Sequence, residues 1–368
     1  MKTVCEKNRC AGCMACLDVC PRSAITITDD LYAYNAVIDE DKCVACNLCH
    51  QICQQNQEPE LTSPIAWYQG WSADPAIRSR GSSGGVATAL ALSFVKNSGI
   101  VCCCLFENGE FRFQLADTPE DVLRSSGSKY VKSNPQGCYQ KVKQLLKDNK
   151  KVLFIGLPCQ VAAMKQYAGS KYADQLFTVD LICHGTPSPQ LLKQFLKESK
   201  YSIDSIKDIR FRKKVTFQLA VSEKPIMGKG LKDAYTLAFI NGLTYTENCY
   251  TCRYARKERA ADITLGDSWG SEIHIEEQYK GISLILCQTP KGVALAENSG
   301  LHLLPVDLNS AIQGNDQLQH PSEKPNCQRR FFKGITAGRR FITMVARCYP
   351  KQYAKLQVKR FLQSIRKP

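Results

Sequence analysis

Apolar positions along the chain fall into short runs broken by polar turns. Residues 24–28 and 36–38 read as strand-like pieces, 58–63 with Pro64 as a linker, and 65–71 as the opening of a second domain. Residues 86–95 form a small, apolar run, 100–106 a buried strand, 117–123 a short helix around Pro119, and 136–148 an amphipathic helix. Two strand–loop–helix units follow. In the first, strand 151–156 leads through Leu157, Pro158 and Cys159 to a helix over 160–167. In the second, strand 176–182 leads through Cys183, His184 and Gly185 to a helix that starts at Pro189 and is capped by Ser188. Such units make the strands parallel with a right-handed crossover, so the expected class is α/β (α+β) with parallel βαβ units. Residues 209–222 and 234–240 have strand character and are expected to pair antiparallel. At the end, 335–348 is amphipathic. Beyond Pro350, the pattern over 351–365 puts Ala354, Val358, Phe361, Leu362 and Ile365 on one helical face, flanked by Lys355, Lys359 and Arg360.

The 368 residues suffice for two or three domains. No apolar run reaches the roughly 18 residues of a membrane span. The charge of +15 is lopsided: from Lys324 onward there are 13 Lys or Arg and no Asp or Glu, leaving 36 basic against 34 acidic residues before it. The basicity is thus a property of the tail. A basic amphipathic helix suits an anionic membrane surface or an acidic partner, and equally a helix packed back on the body. Nucleic-acid binding is disfavoured because no reader motif accompanies the charge. Twenty cysteines, with no signal-peptide core over residues 1–7, predict a reducing, cytoplasmic setting, with peripheral contact at the inner face of the membrane as the tail's variant.

The cysteines change the picture most. Cys10, Cys13, Cys16 and Cys20, followed by Pro21, form C-x2-C-x2-C-x3-C-P, and Cys43, Cys46, Cys49 and Cys53 repeat the spacing. This is the bacterial ferredoxin signature for two [4Fe–4S] clusters, in which the fourth cysteine of each run ligates the other cluster. Cys10, Cys13, Cys16 and Cys53 are therefore expected to hold one cluster, and Cys43, Cys46, Cys49 and Cys20 the other. Zinc prefers well-separated C-x2-C pairs, and disulfide frameworks belong to short secreted chains. Gln54 stands where a proline usually follows the fourth cysteine.

Cys159 and Cys183 both lie at carboxyl ends of expected parallel strands, the edge at which open α/β sheets bind ligands. Cys249 and Cys252 supply a C-x2-C before a strand at 261–265. A third [4Fe–4S] cluster on Cys159, Cys183, Cys249 and Cys252 is the expectation. A redox disulfide at Cys249 and Cys252, or zinc, is the alternative. Cys102, Cys103 and Cys104 are read as core, since a strand cannot aim three consecutive side chains at one metal.

Arg80-Gly81-Ser82-Ser83-Gly84-Gly85 before an apolar helix reads either as a cradle for the pyrophosphate of a nucleotide cofactor, with Arg80 as counter-charge, or as a tight turn. Gly127-Ser128-Lys129-Tyr130 offers a cation and an aromatic suited to a flavin, or is a surface loop. Asp267, Ser268 and Trp269 form a polar turn at a strand end where a flavin or substrate would lie. His184 is a candidate proton donor, against the plain reading of a structural histidine.

Ser82-Ser83-Gly84-Gly85, Gly127-Ser128-Lys129-Tyr130, Gly156-Leu157-Pro158-Cys159-Gln160, Cys183-His184-Gly185, Cys249-x2-Cys252 and Gly266-Asp267-Ser268-Trp269-Gly270 together resemble the coenzyme F420 hydrogenase/dehydrogenase family of beta subunits over roughly residues 65–310. The resemblance implies an iron–sulfur flavoprotein with FAD beside a cluster. It divides the chain into a two-cluster ferredoxin domain (1–58), a flavin-binding region (65–148), a region with the third cluster (149–320) and a basic tail (324–368). The first functional expectation is a reductase: a ferredoxin-like donor feeds the clusters, then FAD, which passes hydride to a small organic substrate. The alternatives are a coenzyme F420-dependent oxidoreductase component, with flow in either direction, and a non-catalytic electron-transfer subunit docked to a redox partner. No hydrogenase metal motif is present, so hydrogen chemistry would belong to a partner.

Overall fold

In the computed structural model, which describes residues 2–365, the strands in chain order are β1 (Ile25–Asp29), β2 (Tyr34–Ile38), β3 (Ala66–Ser72), β4 (Ile100–Glu107), β5 (Glu110–Ala116), β6 (Val152–Ile155), β7 (Leu176–Leu181), β8 (Ile209–Lys213), β9 (Thr216–Val221), β10 (Lys224–Pro225), β11 (Ile263–Asp267), β12 (Ser283–Cys287) and β13 (Leu301–Leu304). Eight of them form one mixed sheet in the order β13-β3-β12-β11-β7-β6-β4-β5. Its centre, β11-β7-β6-β4, is parallel, and both flanks are antiparallel. Both strand–loop–helix units foreseen from the sequence are there, with β6 and β7 as parallel neighbours; the helix after β7 leads to β8 in a separate three-stranded sheet, and β11 takes the place beside β7. All four central strands point their carboxyl ends the same way, so the loops after β6, β7 and β11 share one edge.

The ferredoxin module is a small hairpin, β1 with β2, and two short helices, Ala15–Val19 and Leu48–Ile52. It is not a bead on a tether. One apolar cluster runs from Ile25 and Ile38 through Cys13 and Cys16 to Tyr139, Phe154 and Met164 of the main sheet and its helices. The buried Asp18 carboxylate accepts from the backbone N–H of Gly137 (2.8 Å) and Tyr139 (3.2 Å), capping helix Cys138–Lys147 from outside its own segment. Even the stretch read as a linker is pinned: Thr62 exchanges backbone hydrogen bonds of 2.9 and 3.0 Å with Arg259.

Three expectations need correction. Residues 209–222 do form the antiparallel hairpin β8–β9, but Ala234–Ile240 is a helix. A short apolar run is ambiguous between strand and helix. Asp233 decides it, capping the helix through Thr236 N (2.8 Å) and Thr236 Oγ1 (2.7 Å) while its Oδ2 also accepts from Leu219 N (2.7 Å). The run 335–348 falls on two helices, Gln328–Thr336 and Phe341–Cys348, parted at Gly338, whose φ of 75° suits glycine. The last helix, Pro350–Ile365, leaves the expected apolar face exposed and packs by a second stripe that the sequence reading left out. Tyr353 and Leu356 pack on the body, and Gln363 donates to Lys229 O at 3.1 Å, whereas Val358, Leu362 and Ile365 are exposed. Residues 366–368 of the expected tail lie outside the described residues. Among the described residues, no helix is long and apolar enough to cross a membrane.

Candidate functional site

The cysteine-bearing segments meet at the sheet's carboxyl edge. Cys159 is the second residue of helix Pro158–Ala168, which starts directly after β6, and Cys183 follows β7. Cys249 lies on a 3-10 turn, Glu247–Thr251, that hydrogen-bonds back to both neighbours: Glu247 N donates to Tyr32 O of the ferredoxin module (2.8 Å), and Thr246 N to Thr186 O (3.1 Å). The four thiols are mutual neighbours. Burial first, then the thiols of Cys249, Cys159 and Cys252, hold Cys183 well above the ordinary thiol value. Burial pushes Cys159 up to about 12; Lys132 opposes the rise, while Cys252 and Cys249 add to it. Cys252 is raised by burial and then by Cys249. Left to themselves such thiols resist ionisation, and a bound cation is what makes several thiolates tolerable in one buried place.

The same logic divides the ferredoxin cysteines. Cys13 is pushed up by burial, then by Cys53, Cys16 and Cys10, and Cys16 by burial, then by Cys10, Cys53 and Cys49. Cys10, Cys13, Cys16 and Cys53 are all buried. Cys20, Cys43, Cys46 and Cys49 instead line a common cavity with Pro21 and Leu48, and Cys46 is exposed. Space therefore sorts the eight thiols across the two runs, as the spacing led one to expect. All twenty cysteines are free thiols, so Cys249 and Cys252 form no disulfide. Among the described residues no three His, Cys, Asp or Glu side chains converge on a single ion, as zinc's bonds of about 2.3 Å to sulfur require. The sequence reading missed Cys5. It is buried beside Cys10 and Cys53, which raise its pKa while it lowers theirs. Cys102, Cys103 and Cys104 sit in β4 among core side chains.

Two buried residues lock the third group of thiols in place. Arg259 faces Asp180 at 3.3 Å, donates through Nη2 to Leu181 O (2.7 Å), two residues before Cys183, and through Nη1 to Tyr254 O, two residues after Cys252. Burial raises the pKa of Asp180, and the Arg259 charge opposes it. Tyr254 reaches the other way, donating to Gln54 Oε1 at 2.7 Å beside Cys53.

The glycine-rich turn lies further along the same face. Helix Val86–Lys96 starts at Gly85 with no side chain capping it, so its first N–H groups lack a side-chain acceptor. Packing also demands the glycines: a Cβ on Gly84 would lie 2.5 Å from Gly70 O, and one on Gly85 2.8 Å from Ile77 O at a φ of +80°. Ser82 Oγ accepts from Ser128 N (2.8 Å), which joins the two polar loops, while Ser83 Oγ is spent on Ile282 O (2.8 Å). Arg80 is not beneath the turn. It leans outward, 3.4 Å from Leu123 O, and the buried guanidinium is Arg78, on Gly281 O and Glu277 and 4.2 Å over the Trp71 ring. Lys129 is drawn inward onto Ser125 O and Gly127 O (3.0 Å), and burial lowers its pKa. Tyr130 lies flat against Phe239 at 4.3 Å and Phe217 at 6.1 Å, within an aromatic cluster.

Hairpin β8–β9 brings cations that sequence reasoning did not pick out. Arg212 forks onto Asp267 at 2.5 and 2.8 Å with Trp269 at 5.7 Å. Lys214 donates to Arg78 O, Gly81 O (2.9 Å) and Ser83 O (2.8 Å), gathering the glycine-rich turn. Burial and then Arg78 and Arg212 lower its pKa to about 8. Residues 210–214 signalled themselves only as a basic stretch of strand. His184 keeps access to solvent although protein surrounds it; desolvation lowers its pKa, and Asp267 and Asp316 oppose this.

Comparison with known proteins bears on the whole arrangement. Residues 149–301 match the carboxyl-terminal part of the family described as coenzyme F420 hydrogenase/dehydrogenase, beta subunit, and 67–136 match its amino-terminal part. Residues 9–56 match the 4Fe-4S dicluster domain. Among curated proteins, an F(420)H(2) dehydrogenase subunit of Methanosarcina mazei is 27% identical over 195 residues, 49% of this chain and 54% of that one. An uncharacterized protein of Methanocaldococcus jannaschii is 26% identical over 198 residues, 45% of this chain and 54% of its own. A subunit of an ion-translocating oxidoreductase complex in Methanosarcina acetivorans is 46% identical over 55 residues, 15% of this chain and 19% of its own. The chain thus spans about half the length of the first two relatives. A chain of the F420-reducing [NiFe] hydrogenase complex from Methanosarcina barkeri superposes with a TM-score of 0.49 at 20% identity, covering 72% of this chain and 92% of that one.

Proposed function

Because this chain belongs to the coenzyme F420 hydrogenase/dehydrogenase family of beta subunits and carries a 4Fe-4S dicluster domain in front, we propose that it is the iron–sulfur electron-transfer subunit of a larger redox complex, exchanging electrons with a coenzyme F420-type carrier at a bound FAD. A relative that bears the name of an F(420)H(2) dehydrogenase component supports this over a self-standing reductase of an unrelated organic substrate. The observation that carries the proposal is the meeting of Cys159, Cys183, Cys249 and Cys252 at the sheet's carboxyl edge, against the ferredoxin module.

Exposure separates the cysteine sets. Cys46 is exposed and the set with Cys10 is buried, while Cys159, Cys183 and Cys252 are half-buried beside the buried Cys249 at the sheet's carboxyl edge. The outer four-cysteine site is then the contact for a redox partner, and the other two lead inward. A flavin, when bound, converts between the single electrons of clusters and the pair of a hydride. The uncapped start of helix Val86–Lys96 suits its pyrophosphate, with Ser82 and Ser128 fixing the two loops around it. Arg212 holds Asp267 and the turn to Trp269, and His184, near Asp267, would be the side chain that holds a proton for the hydride exchange. The exposed Val358, Leu362 and Ile365, beside Lys355 and Lys359, offer a surface to an acidic partner or to the inner membrane face, and the setting is the cytoplasm.

Anaerobic purification with counting of iron and flavin, followed by addition of a reduced deazaflavin, tests this. The expected result is about twelve irons and one FAD per chain, with bleaching of the flavin. About eight irons would remove the third cluster. Iron without flavin would remove the carrier-binding role and leave a relay.

A further inference from the structure

Lys132 is the least explained charge in the molecule. Its side chain is 4% exposed, and it forms an ion pair with no carboxylate among the described residues. Lysine is almost never buried so fully unless it is paired. Its ammonium donates to Ala11 O at 2.9 Å, inside the first cysteine loop, and lies 5.1 Å from the Tyr34 ring centre. Its stem lies against Gly12: a Cβ there would come within 2.8 Å of Lys132 Cδ, which together with a φ of +68° explains a glycine between Cys10 and Cys13. The backbone of the same segment ties it to the later site. Lys132 N donates to Pro187 O at 2.9 Å, and Ser133 Oγ accepts from Gln160 Nε2 at 3.0 Å, next to Cys159. The side chain of this buried cation is thus fixed in the Cys10 loop, and its backbone is tied to the segments that carry Cys183 and Cys159. In keeping with that placement, its charge favours the thiolate at both.

We propose that Lys132 is the counter-charge shared by the two inner clusters, and that it sets their reduction potentials as a matched pair. The inference rests on the reading of Cys159, Cys183, Cys249 and Cys252 as a cluster site. Each four-thiolate cluster brings net negative charge to a buried place, which supplies the partner Lys132 lacks. Passage inward moves one electron: the cluster on Cys10 is oxidised by one and the cluster on Cys159 reduced by one. A cation close to both stabilises the reduced form of each, so it raises both potentials and leaves the step between them nearly level. The outer site, at Cys20, Cys43, Cys46 and Cys49, has the solvent-exposed Arg22 and no buried lysine in the cavity it lines.

The test is a redox titration of the anaerobically purified full chain, followed by electron paramagnetic resonance, on Lys132→Met and Lys132→Arg. Methionine keeps the stem over Gly12 and removes the charge. The expected result is a roughly tenfold weaker reduction equilibrium at both inner clusters, about 59 mV lower for a one-electron couple, with the outer cluster unmoved and the arginine variant restored. Lys132→Gln repeats the measurement should the methionine variant fail to load iron. Unchanged inner potentials at full iron content, or an equal shift at all three clusters, would overturn the proposal. An iron count of about eight in the unaltered chain would sink the third-cluster reading separately, and the potential of the Cys10 cluster would still judge Lys132.

Discussion

Tyr254 donates its hydroxyl to Gln54 Oε1 across 2.7 Å, joining the residue two places after Cys252 to the residue immediately after Cys53. Gln54 occupies the position where a ferredoxin turn usually carries proline, and here it is 2% exposed. An isolated ferredoxin has no neighbour for a side chain at this place, whereas this one has a dedicated donor. Its Nε2 has no partner, so Oε1 carries all of its side-chain hydrogen bonding. Tyr254→Phe should therefore cost about 1–3 kcal/mol, the penalty for stranding a buried acceptor. Denaturant unfolding of the anaerobic, iron-loaded protein measures this. A cost near zero would mean that the contact does not hold the module.

Arg259 should matter more than any exposed charge. It is 1% exposed, and it ties the segment before Cys183 to the one after Cys252 through Leu181 O and Tyr254 O. Arg259→Met strands the Asp180 carboxylate in the core, and breaking a buried pair this way costs about 3–5 kcal/mol. The iron count should fall by about four, from the third site alone. Arg259→Met combined with Asp180→Leu should recover much of the stability and none of the iron. That split separates fold from site.

Lys214 supplies a pH prediction with a definite sign. Its pKa in the fold is about 8, depressed by burial and by its cationic neighbours, against an ordinary lysine near 10.4. Between those values the unfolded chain holds the proton and the fold does not, so stability rises with pH across the window from about 8 to about 10.4. Anion binding at the glycine-rich turn runs the opposite way, weakening as pH passes 8 and the positive charge is lost. ADP affinity measured by calorimetry from about pH 7 to 9.5 should show the fall, and Lys214→Met should flatten it. A fall that persists in the methionine variant would place the titrating group elsewhere.

How much of this was legible in the sequence follows from what sequence spacing encodes. Cysteine ligands within one loop, and strand–loop–helix units that repeat, are local patterns, so the ferredoxin runs, the parallel order of β6 and β7, and the placing of Cys159 and Cys183 could be read directly. The sheet-edge rule covered only those two; Cys249 and Cys252 were joined to them as the remaining C-x2-C pair. Arg212, Lys214, Arg259 and Lys132 were not legible, because each has a carbonyl or carboxylate partner between 55 and 136 residues away in the chain, fixed only by tertiary packing. Arg80 shows the limit from the other side. Residue type and loop position were right for a counter-charge, but the turn of the helix put Arg78 inward and Arg80 outward. The tail shows a related limit: an amphipathic pattern gives a face, not the surface it meets, and here Tyr353 and Leu356 meet the core while the apolar face stays exposed.

Cys46→Ala tests the order of the clusters. Cys46 is the exposed member of the outer four-cysteine site, so its loss should remove that cluster while leaving the buried thiols of the inner site undisturbed. Iron should drop by about four per chain, with little change in unfolding, since the side chain contributes little buried surface. On the proposed function a reduced deazaflavin should still bleach the bound FAD, because Cys46 is remote in sequence from the glycine-rich turn proposed to hold it. Passage onward to an external acceptor protein should fall by at least tenfold, because the remaining clusters lie behind the one that faces solvent. If the variant passes electrons to that acceptor at the full rate, the exposed cluster is not the port, and the third site must communicate with the partner by another face.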